Sequence, residues 1–475
     1  MPPTCIPRPL PTPAFRASVL LALVGAGLVA WAPPGPAAPT VVLPRLSPPA
    51  AFDPGPLERL LSQGPWVRLG LVVLDAASGQ RLYGRNPDLG LTPASNLKLL
   101  SLATTLYQLG PDYWFSTSVT RQGALPAPAH LTLVGIGDPS LSVRNGEHSL
   151  AGLAAQVYRR GVRQVGAVRV DDHMIDAASW AHPGAERPSG GVVLDEGPGK
   201  SPGPAAALSA RAYALRVGGL FRRELQRAGV RVSGGVEVGR GEPGVYRTPL
   251  PGDRAGRDRG GQEQANVWAE PGVATSRSRP LAELLRHTLK LSDNAWADSL
   301  SARSGVDERT PSWRPGTRAL TRARQDALLR AAGSDPAGLR VLDGSGLSPG
   351  NRLSAGAVAA LLEYVYRHPL GPGGRNTFIE ALPQGGTGRA TPQAAERGGT
   401  LATRFLGSGL DLRAKTGTLP GVSSLSGYLR ARDGRLLVFS LLADGYAGPG
   451  QELRAWQDRL VEALAASASS SAARP

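Results

Sequence analysis

The sequence predicts an α/β protein whose main domain is carried in two pieces, with a second domain inserted between them. The observations behind this are strand and helix patterns near both ends, a middle stretch of different texture that interrupts them, and the absence of any internal repeat. At about 150 residues per domain, 475 residues suggest about three domains. An apolar share of 41% is enough for a sizeable core.

At the start of the chain, Arg8 and Arg16 precede an apolar run of 16 residues, Ala17 to Ala32. As a helix this run covers about 24 Å, short of a ~30 Å hydrocarbon core. The pattern therefore reads as a secretory signal over residues 1–32 in preference to a spanning helix, with an uncleaved anchor as the alternative. Ala30-Trp31-Ala32 has the small-x-small form of a cleavage site but is followed by Pro33, and Ala37-Ala38 is a second option. The expected localisation is secretion across the cytoplasmic membrane, to the periplasm or cell envelope. Residues 33–56, rich in Pro and Ala, read as a linker.

The first piece of the main domain is expected over 57–116. A short helix at 57–61 precedes strands at 68–75 and 80–83, joined by a Ser78-Gly79 turn that signals a hairpin. Apolar residues at Leu97, Leu100, Leu102, Ala103 and Leu106 have helical spacing, and Gly110-Pro111 ends that helix. The inserted domain is expected over 117–270, with strands at 115–119, 131–134 and 165–170 and helices at 150–160 and 212–228. Residues 183–204 and 239–263, rich in Gly, Pro and charge, read as loops or partly disordered segments. The second piece is expected over 271–467. It holds helices at 280–291, 294–303, 316–332 and 355–367, strands at 410–416, 423–431 and 434–443, and a closing helix at 451–466. Residues 468–475 read as a disordered tail.

The net charge of +16 speaks to solubility and to attraction for anions, and it suits peripheral association with a membrane or an anionic cell wall. No dense Lys/Arg run with interleaved aromatics is present, so a nucleic-acid partner is not expected. The single cysteine, Cys5, excludes an intrachain disulfide and a Cys-based metal cluster, and it precedes the apolar run, where it is badly placed for a lipid anchor. Six scattered His residues offer no metal-ligand spacing, so no metal or cofactor is expected. Lysine is scarce: Lys98, Lys200, Lys290 and Lys415 are the only four. A lysine kept in so Arg-rich a chain points to chemistry that Arg cannot perform, because a buried Lys can become a neutral base.

Two of those lysines fall in motifs. Ser95-Asn96-Leu97-Lys98 puts a hydroxyl and an amine one helical turn apart on the same face, near a helix N-terminus where N–H groups are free. A Ser hydroxyl needs a neighbouring base to become a nucleophile, and a Lys of lowered pKa can be that base. The bland reading is a capping Ser beside a solvated Lys. Ser292-Asp293-Asn294 follows a helix; its hydroxyl can relay a proton and its amide can hold a carbonyl, while the bland reading is a helix cap. Lys415-Thr416-Gly417-Thr418 lies on an expected strand. It offers a charge, hydroxyls and a close backbone approach, against the bland reading of a strand entering a turn.

Taken together, in this order and spelling, the three motifs resemble the set found in active-site-serine penicillin-binding proteins and β-lactamases. The stretches Pro93–Lys98, Val134–Leu141, Lys290–Asn294, Leu342–Ser348, Gly399–Leu401 with Arg404, and Ala414–Leu419 resemble the D-alanyl-D-alanine carboxypeptidase and endopeptidase family of low-molecular-mass penicillin-binding proteins. The 193 residues between Lys98 and Ser292 leave room for an insert that plain β-lactamases lack. The resemblance implies an antiparallel sheet flanked by helices, with an inserted α+β domain. That insert is shorter than in the family pattern, because a Gly/Pro-rich piece takes the place of further strands after Asp172.

The resemblance also implies roles. Ser95 is the nucleophile on the penultimate D-Ala carbonyl of peptidoglycan stem peptides, and Lys98 its base. The N–H groups of Ser95 and Thr418 form the oxyanion hole. Ser292 passes a proton to the leaving D-Ala, Asn294 holds the peptide, and Lys415, Thr416, Gly417 and Thr418 bind the terminal carboxylate. Leu419 is a candidate contact for the third stem residue, with core packing as the bland alternative. β-Lactams are implied as covalent inhibitors. The rival readings are a serine β-lactamase or esterase on the same scaffold, separated by the rate of deacylation, and a non-catalytic envelope-binding protein, which intact motifs oppose.

Overall fold

The structure is a computed structural model that describes residues 52–122, 129–182, 184–196, 208–240, 273–307 and 314–467. Helix α1 (Gly55–Ser62) leads into β1 (Arg68–Asp75), β2 (Arg81–Arg85) and α2 (Leu97–Leu109). The middle of the chain holds β3 (Ser116–Gln122), β4 (His130–Val134), α3 (Leu150–Arg159), β5 (Gln164–Val165), β6 (Val168–Asp171), α4 (Ala177–Trp180), α5 (Ala210–Arg227), β7 (Arg231–Val232), β8 (Val236–Val238) and β9 (Ala274–Arg277). The remainder holds α6 (Leu281–Leu291), α7 (Asn294–Ser304), α8 (Arg318–Ala331), α9 (Ala355–Arg367), α10 (Thr377–Ala381), α11 (Pro392–Gly398), β10 (Leu412–Leu419), β11 (Val422–Arg430), β12 (Leu436–Asp444) and α12 (Gly450–Ser467).

Strands from both ends of the chain build one antiparallel sheet in the order β10-β11-β12-β1-β2. The join is β1 on β12, with Leu71 opposite Leu441. One face packs Val72, Val438 and Leu442 against Leu97 and Leu100 of α2 and Val358 and Leu362 of α9. The other packs Leu71, Val73, Phe439 and Leu441 against Leu57 of α1 and Leu460 and Leu464 of α12. Because both faces are covered, β1 and β12 read as continuous apolar runs without polar alternation. This is the predicted antiparallel sheet flanked by helices.

The middle segment forms a second sheet, β8-β6-β4-β3-β9, parallel where β6 meets β4 and β8 and antiparallel where β3 meets β4 and β9. It has its own core of Val119, Leu133, Leu153, Val157, Val170, Val217 and Phe221, supplied by the sheet, α3 and α5.

Several expectations need correction. Gly55 and Pro56 open α1 instead of ending a linker: Pro suits a first helical turn, and Asp53 N donates to Ser467 O at the end of α12. The strand expected at 165–170 is two strands, β5 paired with β7 and β6 with β4 and β8, because Gly166 N turns aside to Ala129 O. The short β8 and β9 were not foreseen; at three and four residues they carry too little periodicity to be seen. Residues 184–196, expected as loop or disorder, are irregular but anchored: Val192, Val193 and Leu194 are buried in the insert's core, and Leu194 N donates to Tyr213 Oη. The leader through residue 51, Cys5, Lys200 and the tail from 468 lie outside the described residues, as does all of 239–263 beyond residue 240. Among the described residues no helix is long and apolar enough to cross a membrane.

Candidate active site

Ser95 sits in a single 3-10 turn, Ala94–Asn96, that runs directly into α2. The turn is tight. Ala94 has φ of +46°, and a Cβ on Gly346 would stand 1.9 Å from Ala94 O, so only glycine fits there. Pro93 O accepts from Ser424 Oγ at 2.6 Å, which ties the turn to β11. The N-cap position of α2 is Asn96 and not Ser95, so the capping alternative fails for Ser95.

Lys98 follows one turn later, fully buried. Its Nζ lies 3.0 Å from Ser95 Oγ, 2.7 Å from Asn294 Oδ1 and 2.7 Å from Ser345 O. Burial lowers its pKa from 10.5 to about 8, and the carboxylates of Asp298, Asp343, Asp293 and Glu186 work against the fall. Asp298 accepts from Gly344 N, and Asp343 accepts from Gly346 N, Ser348 N and Asn351 Nδ2. These bonds fold the 343–348 loop so that the Ser345 carbonyl meets the amine. Holding Lys98 protonated at neutral pH costs the fold roughly 3 kcal/mol. The cost is full below the folded pKa and fades as pH rises from about 8 toward 10.5.

Ser292 ends α6 in the left-handed conformation, φ 60°, and Asn294 begins α7. Here the capping reading holds for one residue of the motif: Asp293 accepts from Trp296 N at 2.9 Å. That cap turns Ser292 toward Lys415, whose Nζ donates to Ser292 Oγ at 2.9 Å and to Thr416 O at 2.8 Å. Lys415 is also fully buried. Burial and the nearby charge of Lys98 hold its pKa well below the ordinary lysine value. Asn294 uses its other end to donate from Nδ2 to Glu186 Oε1 at 2.8 Å.

The two clusters, Ser95–Lys98–Asn294 and Ser292–Lys415, are joined by backbone. Asn96 Nδ2 donates to Lys415 O at 2.8 Å. A Cβ on Gly417 would lie 2.2 Å from Ser424 Oγ, 2.8 Å from Pro93 O and 3.0 Å from Ser95 N, so β10 passes directly against the nucleophile's backbone. The strand stays paired as far as Leu419 and then ends in the Pro420-Gly421 turn into β11, so the bland reading holds for its backbone while its side chains build the site. Thr416 Oγ1 donates to Thr400 Oγ1 at 2.8 Å. Thr418 is exposed and Leu419 half-buried. Leu419 lines a depression with Pro420, Gly421 and Tyr446 that none of Ser95, Lys98, Ser292 or Lys415 lines.

Residues that motif spelling alone did not assign complete the site: Ser345 through its carbonyl, Asp298 and Asp343 through charge, Glu186, Asn96 and Thr400. Ser345 and Asp343 lie in the Leu342–Ser348 stretch and Thr400 in Gly399–Leu401, both marked by resemblance without a role. Glu186 had no signal, sitting in a segment read as loop.

The fold and this grouping of Ser and Lys side chains define a serine hydrolase of the penicillin-binding class. The crystal structure of penicillin binding protein 4 from Haemophilus influenzae, also solved with a β-lactam, superposes with a TM-score of 0.63 at 18% identity, covering 86% of this chain and 98% of that one. Residues 56–185 and 261–467 match the D-Ala-D-Ala carboxypeptidase 3 (S13) family, and the chain belongs to that family. It is 30% identical to a D-alanyl-D-alanine carboxypeptidase of Actinomadura sp. (strain R39) over 83% of this chain and 81% of the relative. It is 29% identical to a carboxypeptidase of Mycobacterium tuberculosis over 89% and 87%. Residues 186–260, which include Glu186, fall between the two family-matched stretches.

Proposed function

We propose that this protein is a serine D-Ala-D-Ala carboxypeptidase and endopeptidase that acts on peptidoglycan stem peptides through an acyl-enzyme and is blocked covalently by β-lactams. The observation that carries the reading is the buried Lys98 amine 3.0 Å from Ser95 Oγ, in a setting that lowers its pKa to about 8. A base of that pKa is well matched to proton transfer near neutral pH.

In this reading neutral Lys98 takes the Ser95 hydroxyl proton as Oγ bonds to the carbonyl carbon of the penultimate D-Ala. The oxyanion is held by the N–H groups of Ser95 and Thr418; losing one such donor typically costs about 2.7–4 kcal/mol in the barrier. The C–N bond breaks as Ser292, bonded to Lys415, delivers a proton to the leaving amine. Asn294 steadies the peptide, and Lys415, Thr416 and Thr418 take the terminal carboxylate, with Gly417 allowing the approach. Beyond Ala414, whose N donates to Pro383 O, β10 has no strand on its outer edge among the described residues, which leaves Lys415–Leu419 for an extended peptide to lie along. Water then adds its hydroxyl to the ester carbon; Lys98 returns the proton it took to the departing Ser95 Oγ, and the proton of the water replaces the one Ser292 gave up. Leu419 at the tip of that edge remains the candidate for the third stem residue.

The test is Ser95→Ala. The variant is expected to lose both covalent labelling by penicillin and release of D-Ala from stem peptides; labelling that persists overturns the reading. Rapid turnover of penicillin by the unaltered protein would instead favour the β-lactamase alternative.

Export to the periplasm or cell envelope, with peripheral attachment to wall or membrane, accompanies this reading. It is supported by the Arg8/Arg16 and Ala17–Ala32 pattern and by the net charge of +16. N-terminal sequencing of protein recovered from the envelope, expected to start after residue 32, tests it.

A further inference from the structure

Lys290 belongs to neither the Ser95 nor the Lys415 cluster, yet it is one of four lysines in the chain and is 95% buried. It lies two residues before Ser292, in the last turn of α6. Its Nζ donates to two backbone carbonyls, Leu382 O and Arg397 O, the latter at 2.6 Å.

Those carbonyls belong to the segments that brace the carboxylate side of the site. From Leu382 the chain runs along β10: Pro383 O accepts from Ala414 N at 2.9 Å, Gln384 bridges to Arg413, and Gly385 N donates to Leu412 O at 3.0 Å. Arg397 O also accepts from Gln384 N, which locks the two segments to each other. Arg397 sits in α11, three residues before Thr400, the partner of Thr416 Oγ1. The backbone of Lys290 is engaged as well. Gly399 has φ of +50°, and a Cβ there would lie 2.4 Å from Lys290 O.

We propose that Lys290 is a positioning residue that holds the Ser292 turn, the Lys415–Thr418 strand and Thr400 in one arrangement, and so sets the preference of the site for a carboxylate-bearing substrate. The inference rests on the acyl-enzyme reading above. An amine is suited to the place, because it is a compact head with donors for both carbonyls. The charges that act on it, from Arg413, Arg286 and Arg397, are all positive, and with burial they bring its pKa to about 7. Its partners are carbonyl dipoles, so it serves as a clamp and not as half of an ion pair.

The experiment compares acylation of Ser95 by a penicillin and by the methyl ester of the same penicillin, which differs only in lacking the free carboxylate. Lys290→Met is expected to lower the acylation rate with the free acid by about tenfold to a hundredfold, the scale on which small misplacements act, while the methyl ester changes much less. The ratio of the two rates therefore falls at least tenfold. A ratio equal to that of the unaltered protein, or an equal loss with both reagents, overturns the proposal, since general loosening would not discriminate between them. If Lys290→Met does not fold, Lys290→Gln is measured by the same ratio. Its head is one bond too short to reach both carbonyls, and an unchanged ratio there also overturns the proposal. Failure of the unaltered protein to become acylated at Ser95 by either reagent is a separate outcome and refutes the acyl-enzyme reading itself.

Discussion

The two lysines of the pocket are the same side chain in two different electrostatic settings. Both are fully buried, and burial is the leading cause of a lowered pKa in each. Around Lys98 stand Asp298, Asp343, Asp293 and Glu186, which pull it back to about 8. Among the described residues the charge that acts on Lys415 is that of Lys98, and it pushes Lys415 further down. Burial alone does not make a useful base, because it shifts both amines without regard to task. The carboxylates on one wall tune Lys98 to the range where it takes and returns a proton. On the other wall no carboxylate is set against the fall, so a bound substrate carboxylate would favour the charged form of Lys415. Substrate binding on the Lys415 side is thereby linked to charge, and activation on the Lys98 side is linked to pH.

The strongest way to break this comparison is Lys98→Arg. Arginine keeps the charge and cannot lose it. Acylation by penicillin is expected to fall by about 10²–10⁴, the usual worth of a general base, measured as the rate of covalent labelling. A fall of less than threefold would mean that the proton goes elsewhere. A smaller effect sharpens the same point. Acylation of the unaltered protein should rise with pH through about 8, as Lys98 becomes neutral. Asp298→Asn removes the largest opposing charge while retaining an oxygen for Gly344 N, so the folded pKa drops and the rise moves to lower pH. A pH–rate profile checks the direction, and a move to higher pH contradicts it. The smallest effect belongs to Glu186→Gln. Its shift has the same sign but is less than that of Asp298→Asn, because Glu186 is half-exposed and last among the charges on Lys98. A larger shift than at Asp298 would place Glu186 closer to the chemistry than its bond to Asn294 implies.

Much of this molecule was legible before any coordinates. β1 was readable at its exact ends, and α9 and the closing helix within a residue or two, because each carries an apolar pattern with clear stop signals. α7, buried on all sides from Trp296 to Ser304, was readable from its Ser-Asp-Asn start and the glycine at its end. Ser95, Lys98, Ser292, Asn294 and Lys415 stood out because their spelling combines a nucleophile, amines and donors in a known order. The misses share a cause. β8 and β9 are too short for a period, and residues 184–196 have the composition of a loop although Val192–Leu194 are buried. Irregular backbone held by a few apolar anchors has no repeating signature.

What the amino-acid order determined on its own was local: which segments coil or extend, which side chains carry chemistry, and which family the chain resembles. Only the folded structure decided the pairings, that Lys98 meets Asn294 and Ser345 while Lys415 meets Ser292, and that four carboxylates surround one amine and not the other. The partners of Lys98 come from 196 and 247 residues away in the chain. A periodic pattern reports whether a segment is buried, but a pKa depends on distances to charges and on exclusion of water, which exist only once distant segments are packed together.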